Sequence, residues 1–398
     1  MLSALPALLI WGQGWEAGAA ARIEQIRKAD LRVVVRDARG RPVPRAGVRV
    51  QMKRHAFGFG TAVAAEVLLA ESPDAERYRK TVLELFNKVV LENDLKWPQW
   101  ERNRRRALDA LGWLRAHGIT DIRGHNLVWP GWKWLPPDLP GLASNPADLA
   151  GRVNSHIAEE ASAVRGLVTE WDVVNEPYSS RDLLKILGDE VMAEWFRKAR
   201  EADPGALLYI NDFSILSAGG ADAKHQDYYY NTIKMLDRLG APVQGIGMQG
   251  HFNAKLTPPA RVLEILDRFA KLGKRIQVTE FDIDIDDQQL QAKYTRDFLT
   301  AVFSHPAVDG FLMWGFWEGR HWRPRGAMYR RDWSPKPNAE VFRGLVFHEW
   351  WTNAAGETDA DGVYATRGFL GEYEIEVSGR RVEVALPRGG REVSVVLR

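Results

Sequence analysis

The sequence predicts an α/β protein, a (β/α)₈ barrel flanked by a small β-sandwich that the N- and C-terminal strands build together. Three observations lead there. Between about residues 56 and 350, eight short apolar runs of β type alternate with helical patterns. On either side of that stretch the pattern changes to short alternating strands. Polar and acidic residues follow directly on the ends of the apolar runs, where a parallel barrel presents its reactive groups.

At the N-terminal side, Val33-Val34-Val35, a turn at Asp37 to Gly40, and Val48 with Val50 read as short antiparallel strands, with Pro42 and Pro44 between them. The eight runs then come at Phe57–Val63, Lys88–Leu91, Ile122–Val128, Val168–Val174, Leu207–Ile210, Val243–Met248, Arg275–Val278 and Gly310–Trp314. Helical patterns fall between them, such as Tyr78–Phe86, Ala107–Ala116, Glu190–Ala202, Tyr228–Leu239 and Pro259–Leu272. A doubly wound open sheet gives similar alternation, so the count alone does not decide closure. After about Gly356 the strands Tyr373 to Val377, Val382 to Leu386 and Val393 to Leu397 are expected to pair with the N-terminal ones. The expected division is residues 22–55 with 353–398 as the accessory β-domain, and 56–352 as the barrel. Residues 1–21 form an N-terminal segment whose apolar Leu2 to Ile10 could be a remnant of a signal peptide, although no Lys or Arg precedes it.

Bulk composition excludes several function classes. The 398 residues carry a formal net charge of +2, which offers no electrostatic argument for nucleic acid or an anionic membrane as partner. The basic run Arg102 to Arg106 adjoins an apolar helical pattern and reads as a solvated helix face. No cysteine is present, so disulfides and thiolate metal sites are excluded. No apolar run reaches the roughly 18–20 residues that span a bilayer. The nine His residues include no pair at zinc-ligand spacing, and neither a nucleotide loop nor a Gly-x-Ser-x-Gly elbow occurs. The 16 Trp are the outlying figure. Trp97, Trp129, Trp132, Trp134, Trp314, Trp317 and Trp322 sit beside Pro, Gly or charged residues, which suggests a cleft whose indoles face the apolar faces of sugar rings.

The run ends supply Glu92-Asn93, His125, Asn175-Glu176, Asn211-Asp212, Gln249 with His251, Glu280 with Asp282, and Trp314. The strongest element is Trp171-Asp172-Val173-Val174-Asn175-Glu176-Pro177, at the end of the fourth run. Glu280, in Val278-Thr279-Glu280-Phe281-Asp282, ends the seventh. The two glutamates are 104 residues apart (280 − 176), yet a barrel would aim both into one cavity. Glycoside hydrolysis needs such a pair, one carboxyl to protonate the leaving oxygen and one to attack or stabilise the anomeric carbon. Read singly, His125 would be a satisfied core histidine, Asp282 a turn cap, and Trp97 and Trp171 packing.

Together the segments resemble family 10 of the glycoside hydrolases, the endo-β-1,4-xylanases, over roughly residues 22 to 352. The matching motifs are Glu92-Asn93 with Lys96-Trp97, Arg123-Gly124-His125 through Trp129, Asn175-Glu176-Pro177, Tyr209 to Asp212 after Asp203-Pro204, Gly245 through His251, Thr279-Glu280, and Trp314-Gly315 with Trp322-Arg323-Pro324. The N-terminal segment Arg22 to Val50, leading into Phe59-Gly60-Thr61-Ala62, resembles the subgroup that includes plant-type members. The resemblance implies Glu176 as general acid/base and Glu280 as nucleophile of a retaining double displacement. It implies His251 and Asp282 as partners of the nucleophile and Asn175 on the 2-hydroxyl of the attacked sugar. Glu92, Asn93, Lys96, His125, Trp129 and Gln249 would be glycone-side contacts. Trp314 and Trp322 would wall the scissile sugar, with Asn211 behind the site or on the aglycone side. A retaining pair implies carboxyl groups roughly 5–5.5 Å apart.

Two departures bear on specificity. Pro130 and Trp132 stand where the family usually has His and Gln, and Gly315 to His321 replaces a small loop containing Thr and Asp. Lost polar contacts and added indoles are expected to reshape the glycone sites. The expected protein is thus an endo-acting retaining xylanase of xylan or xylo-oligosaccharides, with no cofactor or metal, monomeric, and secreted or periplasmic. The alternatives are a β-glucanase or other β-glycosidase on the same barrel, and a non-catalytic carbohydrate-binding protein.

Overall fold

A computed structural model describes residues 14–397, so the apolar run Leu2 to Ile10 lies outside the described residues. In chain order, β1 (Lys28–Arg36) and β2 (Gly47–His55) precede the eight strands of the centre. These are β3 (Gly58–Val63), β4 (Lys88–Leu91), β5 (Asp121–Val128), β6 (Glu170–Asn175), β7 (Leu207–Asp212), β8 (Gly245–Phe252), β9 (Arg275–Ile283) and β10 (Val308–Met313). Then follow β11 (Asn353–Glu357), β12 (Val363–Phe369), β13 (Gly371–Val377), β14 (Arg380–Leu386) and β15 (Arg391–Val396).

β3 to β10 pair in sequence order, every neighbour parallel, and β10 returns to β3 through Gly310 opposite Gly58 and Phe311 opposite Phe59. That pairing closes the barrel and excludes the open sheet. The strands read as continuous apolar runs because both faces are covered, the inner by lumen side chains and the outer by helices; β3, β4 and β6 are buried along their whole length.

The helices start where the local chemistry dictates. Ser72 and Asn145 accept the backbone N–H of Ala75 and Asp148 just ahead of Pro73 and Pro146, which need no donor partner in a first turn. Asp222 and Asp287 cap Ala223–Arg238 and Gln288–Phe303 in the same way. Each helix then turns its apolar stripe onto the barrel, as Val262, Ile265, Leu266 and Phe269 do from Pro259–Ala270.

The chain ends form two small sheets, ordered β12-β1-β15 and β11-β2-β13-β14. Their inner residues, among them Leu31, Val33, Val48, Val50, Tyr373 and Ile375, belong to the same apolar core as the barrel. β1 and β2 do not pair with each other, contrary to the antiparallel reading of residues 31 to 55, and β1 is parallel to β15. Pro42 and Pro44 offer no N–H to a hairpin ladder, so the chain crosses between the sheets and each strand finds its partners in the C-terminal segment. Arg27 ties this unit to the barrel, donating from Nε to the Phe303 carbonyl (2.7 Å) and from Nη2 to those of His305 (2.9 Å) and Val308 (2.6 Å).

Candidate active site

The barrel lumen begins with a charged floor. Arg123 donates to Glu170 (2.6 Å) and to both oxygens of Asp172, while Lys88 pairs with Glu170 (3.0 Å) and Asp121 (2.8 Å). Gln277 donates to the same Glu170 oxygen as Lys88 (2.9 Å) and to Tyr209 (3.0 Å). Above it, at the C-terminal strand ends, sit the residues singled out in the sequence.

Glu280 is 4% exposed and sits in register opposite Gln249, as Asp282 does opposite His251. Its Oε1 accepts from Asn211 Nδ2 (2.9 Å), and its Oε2 lies 3.0 Å from His251 Nε2. His251 Nδ1 is 2.9 Å from Asp282, whose same oxygen accepts from the Trp322 indole N–H (2.7 Å). Burial pushes the Glu280 carboxyl up, but the bond from His251 and the charges of His125, His251 and Lys96 more than offset it and hold it below its ordinary range. Burial likewise disfavours the His251 cation, but Asp282 and Glu280 outweigh that and raise it to about 9. At neutral pH the unit is therefore a cationic imidazole between two carboxylates, and Glu280 stays ionised.

Glu176 is built differently. It follows β6 in the left-handed region (φ 52°), its N–H held by the Asn211 carbonyl (2.8 Å). Gln249 Nε2 donates to its Oε1 (2.9 Å), and no cation pairs with it among the described residues. Burial, foremost, with the charges of Glu280 and Asp212, raises its carboxyl to about 7 despite the Gln249 bond. Near neutrality Glu176 is thus able to give and take a proton, whereas Glu280 is held as an anion. Those are the complementary states an acid and a nucleophile require.

Asn211 links the two. It donates to Asn175 Oδ1 (2.9 Å) as well as Glu280, and accepts from Thr279 Oγ1 (2.7 Å). Gly247 makes this possible, since a Cβ there would lie 2.4 Å from Asn211 Oδ1. Asn175 Nδ2 is buried with no protein partner, a donor left for a ligand.

The other predicted residues gather at the same end. Lys96 donates to Asn93 (2.9 Å) and lies 5.6 Å and 6.0 Å from the Trp129 and Trp314 rings. Its ammonium is lowered by burial, which outweighs the pull of Glu280, Glu92 and Glu176. His125 bonds Asp172 (2.9 Å) and meets Trp314 edge-on (centroids 5.2 Å), and Trp322, 47% exposed, stands edge-on to His251 (4.7 Å). A cavity lined by Glu176, Phe213, Ser217, Gln249, His251 and Trp322 opens beside the pair.

Not every expected cleft indole lines the cleft. Trp97 is buried against His156, and Trp317 is buried flat on Trp333 (4.6 Å). Trp134 stacks on Trp129 (3.8 Å), covering one of its faces. Asp172, Ser180, which accepts from Trp129 (3.1 Å), and Arg320, which reaches Glu92 (3.2 Å), were not anticipated. Asp172 was within the strongest motif, and alternation along β6 would have turned it inward. Among the described residues no group of three His, Asp, Glu or Cys could hold a metal, and no helix is long and apolar enough to cross a membrane.

Residues 48–343 match the profile of glycosyl hydrolase family 10. The chain is 32% identical to an anti-sigma-I factor, RsgI6 of Acetivibrio thermocellus, over 94% of this chain and 48% of that one. It is 29% identical to endo-1,4-beta-xylanase 1 of Arabidopsis thaliana, over 89% of this chain and 37% of the relative. It thus spans about half or less of these curated relatives. Xylanase 10B of Thermotoga petrophila, solved with xylobiose, superposes with a TM-score of 0.67 at 28% identity, over 74% of this chain and 95% of that one. The profile match runs through the barrel and both strand-end glutamates, and the chain belongs to glycosyl hydrolase family 10.

Proposed function

We propose that this chain is an endo-acting β-1,4-xylanase that works by double displacement with net retention. The observation that carries the proposal is the contrast between two carboxylates in one network, Glu280 held ionised by His251 and Glu176 poised near 7. Glu280 attacks the anomeric carbon as Glu176 protonates the departing oxygen; Glu176 then takes a proton from the water that releases the sugar. The unpaired Asn175 amide is positioned to donate to the 2-hydroxyl, where a contact tightens as positive charge develops on the ring. Trp129, Trp314 and Trp322 offer the apolar surfaces a pyranose stacks on.

Xylan as substrate is supported by the xylanases among the relatives and by the xylobiose-bound structure of similar fold. A polymer that does not cross membranes places the working enzyme outside the cytoplasm, secreted or periplasmic. The sheets formed by β1, β2 and β11 to β15 act as a structural cap, because their inner faces are continuous with the barrel core. No partner subunit is needed to complete the network, in keeping with a monomer.

The test is reducing-end release from xylan, xylo-oligosaccharides and β-glucan by the wild type and Glu280→Gln, with NMR of the first anomer formed. Release from xylan, a β product and an inactive variant are expected. Faster release from β-glucan would move the substrate to glucans, and an α product would mean inversion. Binding without released ends would favour a non-catalytic carbohydrate-binding protein.

A further inference from the structure

In the loop after β10, Gly315 to His321, the side chains divide into anchors and one reaching group. Trp317 is buried on Trp333, and Glu318 pairs with the buried Lys336 (2.6 Å) while its N–H meets the Tyr329 carbonyl (2.9 Å). These contacts fix the backbone of the turn Glu318–Arg320. From it Arg320 runs along the barrel rim across the loop after β3. Its Nε is 2.7 Å from Glu66 Oε1, on the short helix Ala65–Leu68, and its Nη1 is 3.2 Å from Glu92 Oε2, just past β4.

Resting on the xylanase reading above, we infer that Arg320 is a specificity-determining positioning residue. It clamps Glu92 so that the free Oε1 of that carboxylate faces the second glycone sugar. Three observations support the clamp. Only one Glu92 oxygen is engaged by Arg320, which leaves the other to accept from a hydroxyl. Glu92 is half-buried, and burial pushes its carboxyl up, which Arg320 and Lys96 counter. Without Arg320 the remaining nearby cation is Lys96, which lies deeper, among Asn93, Trp129 and Trp314, so the carboxylate would turn toward it and away from the rim. The same geometry argues against Arg320 capturing an acidic side group of the substrate, because its guanidinium already faces two carboxylates.

The experiment compares kcat/KM on an aryl β-xyloside, which fills one glycone site, with that on an aryl β-xylobioside, which fills two. Arg320→Ala is expected to lower the xylobioside value about tenfold, the size of one lost charge-assisted contact, and to leave the xyloside value within about twofold. Glu92→Gln should lower the same ratio, and the double variant should be no worse than Glu92→Gln alone, since both act through one contact. Arg320→Lys should restore part of the ratio. Glu66→Gln, at a 41% exposed position that folding tolerates, should lower it about two- to threefold and carries the test if Arg320→Ala fails to fold. An unchanged ratio, an equal loss on both substrates, or additive losses in the double variant would overturn the clamp while leaving the hydrolase reading intact. A wild type inactive on both substrates would overturn the xylanase reading and the clamp with it.

Discussion

Glu170 opens the strand β6 and Glu176 directly follows its last residue, and their carboxylates live under opposite conditions. On the floor, both Glu170 oxygens are matched, one by Arg123 and the other by Lys88 and Gln277. Burial pushes that carboxyl up, but Lys88 and Arg123 outweigh it and hold it below its usual range. At the mouth, Glu176 accepts from one neutral donor and has no ion-pair partner among the described residues, and rises to about 7. Glu170 is buried and Glu176 half-buried, so burial raises both; what sets them apart is the supply of positive charge. A saturated network keeps a carboxylate permanently charged and structural, whereas a deliberately short one leaves a proton free to move.

The sharpest way to break this contrast is to attack each layer once. Arg123→Met strands Glu170 and Asp172 in the lumen with one fewer cation, which should cost about 3–5 kcal/mol and show as a large fall in urea midpoint, or as insoluble protein. Glu280→Gln should leave the midpoint nearly unchanged while kcat falls on the order of 10⁴-fold or more. If Arg123→Met unfolded no more readily than Glu280→Gln, the floor would not be the stabilising layer.

The second test is the pH profile of kcat/KM. Glu280 must be ionised, a state lost only as pH falls through its depressed value. Glu176 must be protonated, a state lost as pH rises through about 7. The descending limb should therefore lie near 7. Glu176→Gln should erase that limb and lower the rate about 10²- to 10⁴-fold. Gln249→Met removes the one bond that lowers Glu176 and should move the limb upward, whatever it does to the height of the curve. A limb that stays put in Glu176→Gln would assign it to another group.

The contrast also explains what the sequence could and could not disclose. The mouth was legible because β period and strand count place Glu92, His125, Asn175, Glu176, Asn211, Gln249, Glu280 and Asp282 at strand ends, and a barrel converges its strand ends. The helices were legible where a proline in the first turn and an apolar stripe coincide, as at Pro259–Ala270. The floor was not, because Lys88, Arg123, Glu170 and Asp172 lie inside apolar runs where a charge looks like an interruption, and only the closed lumen shows each beside its counter-ion. Trp317 misled for the opposite reason. Its Gly and Glu neighbours suggest exposure, but the side chain turns back onto Trp333, 16 residues onward (333 − 317), a contact that no local pattern announces. The exchange of partners between β1, β2 and the C-terminal strands is non-local in the same way.

Asp172 offers the smallest and most informative break, because it belongs to both layers. Its carboxylate receives Arg123 from the floor, on both oxygens, and His125 from the mouth at 2.9 Å. Asp172→Asn keeps the shape but offers a single accepting oxygen, so Arg123 and His125 must compete for it. About 1–3 kcal/mol of stability should be lost, read by urea unfolding, together with about tenfold in kcat/KM as His125 loses its orienting partner. If stability falls and the rate does not, the floor and the mouth are independent, and His125 takes its orientation from its other neighbours, Trp314, Trp129 and Asn126. If both fall together, the saturated layer also aims the reactive one: charge compensation below is then what lets the groups above remain uncompensated and still hold their positions.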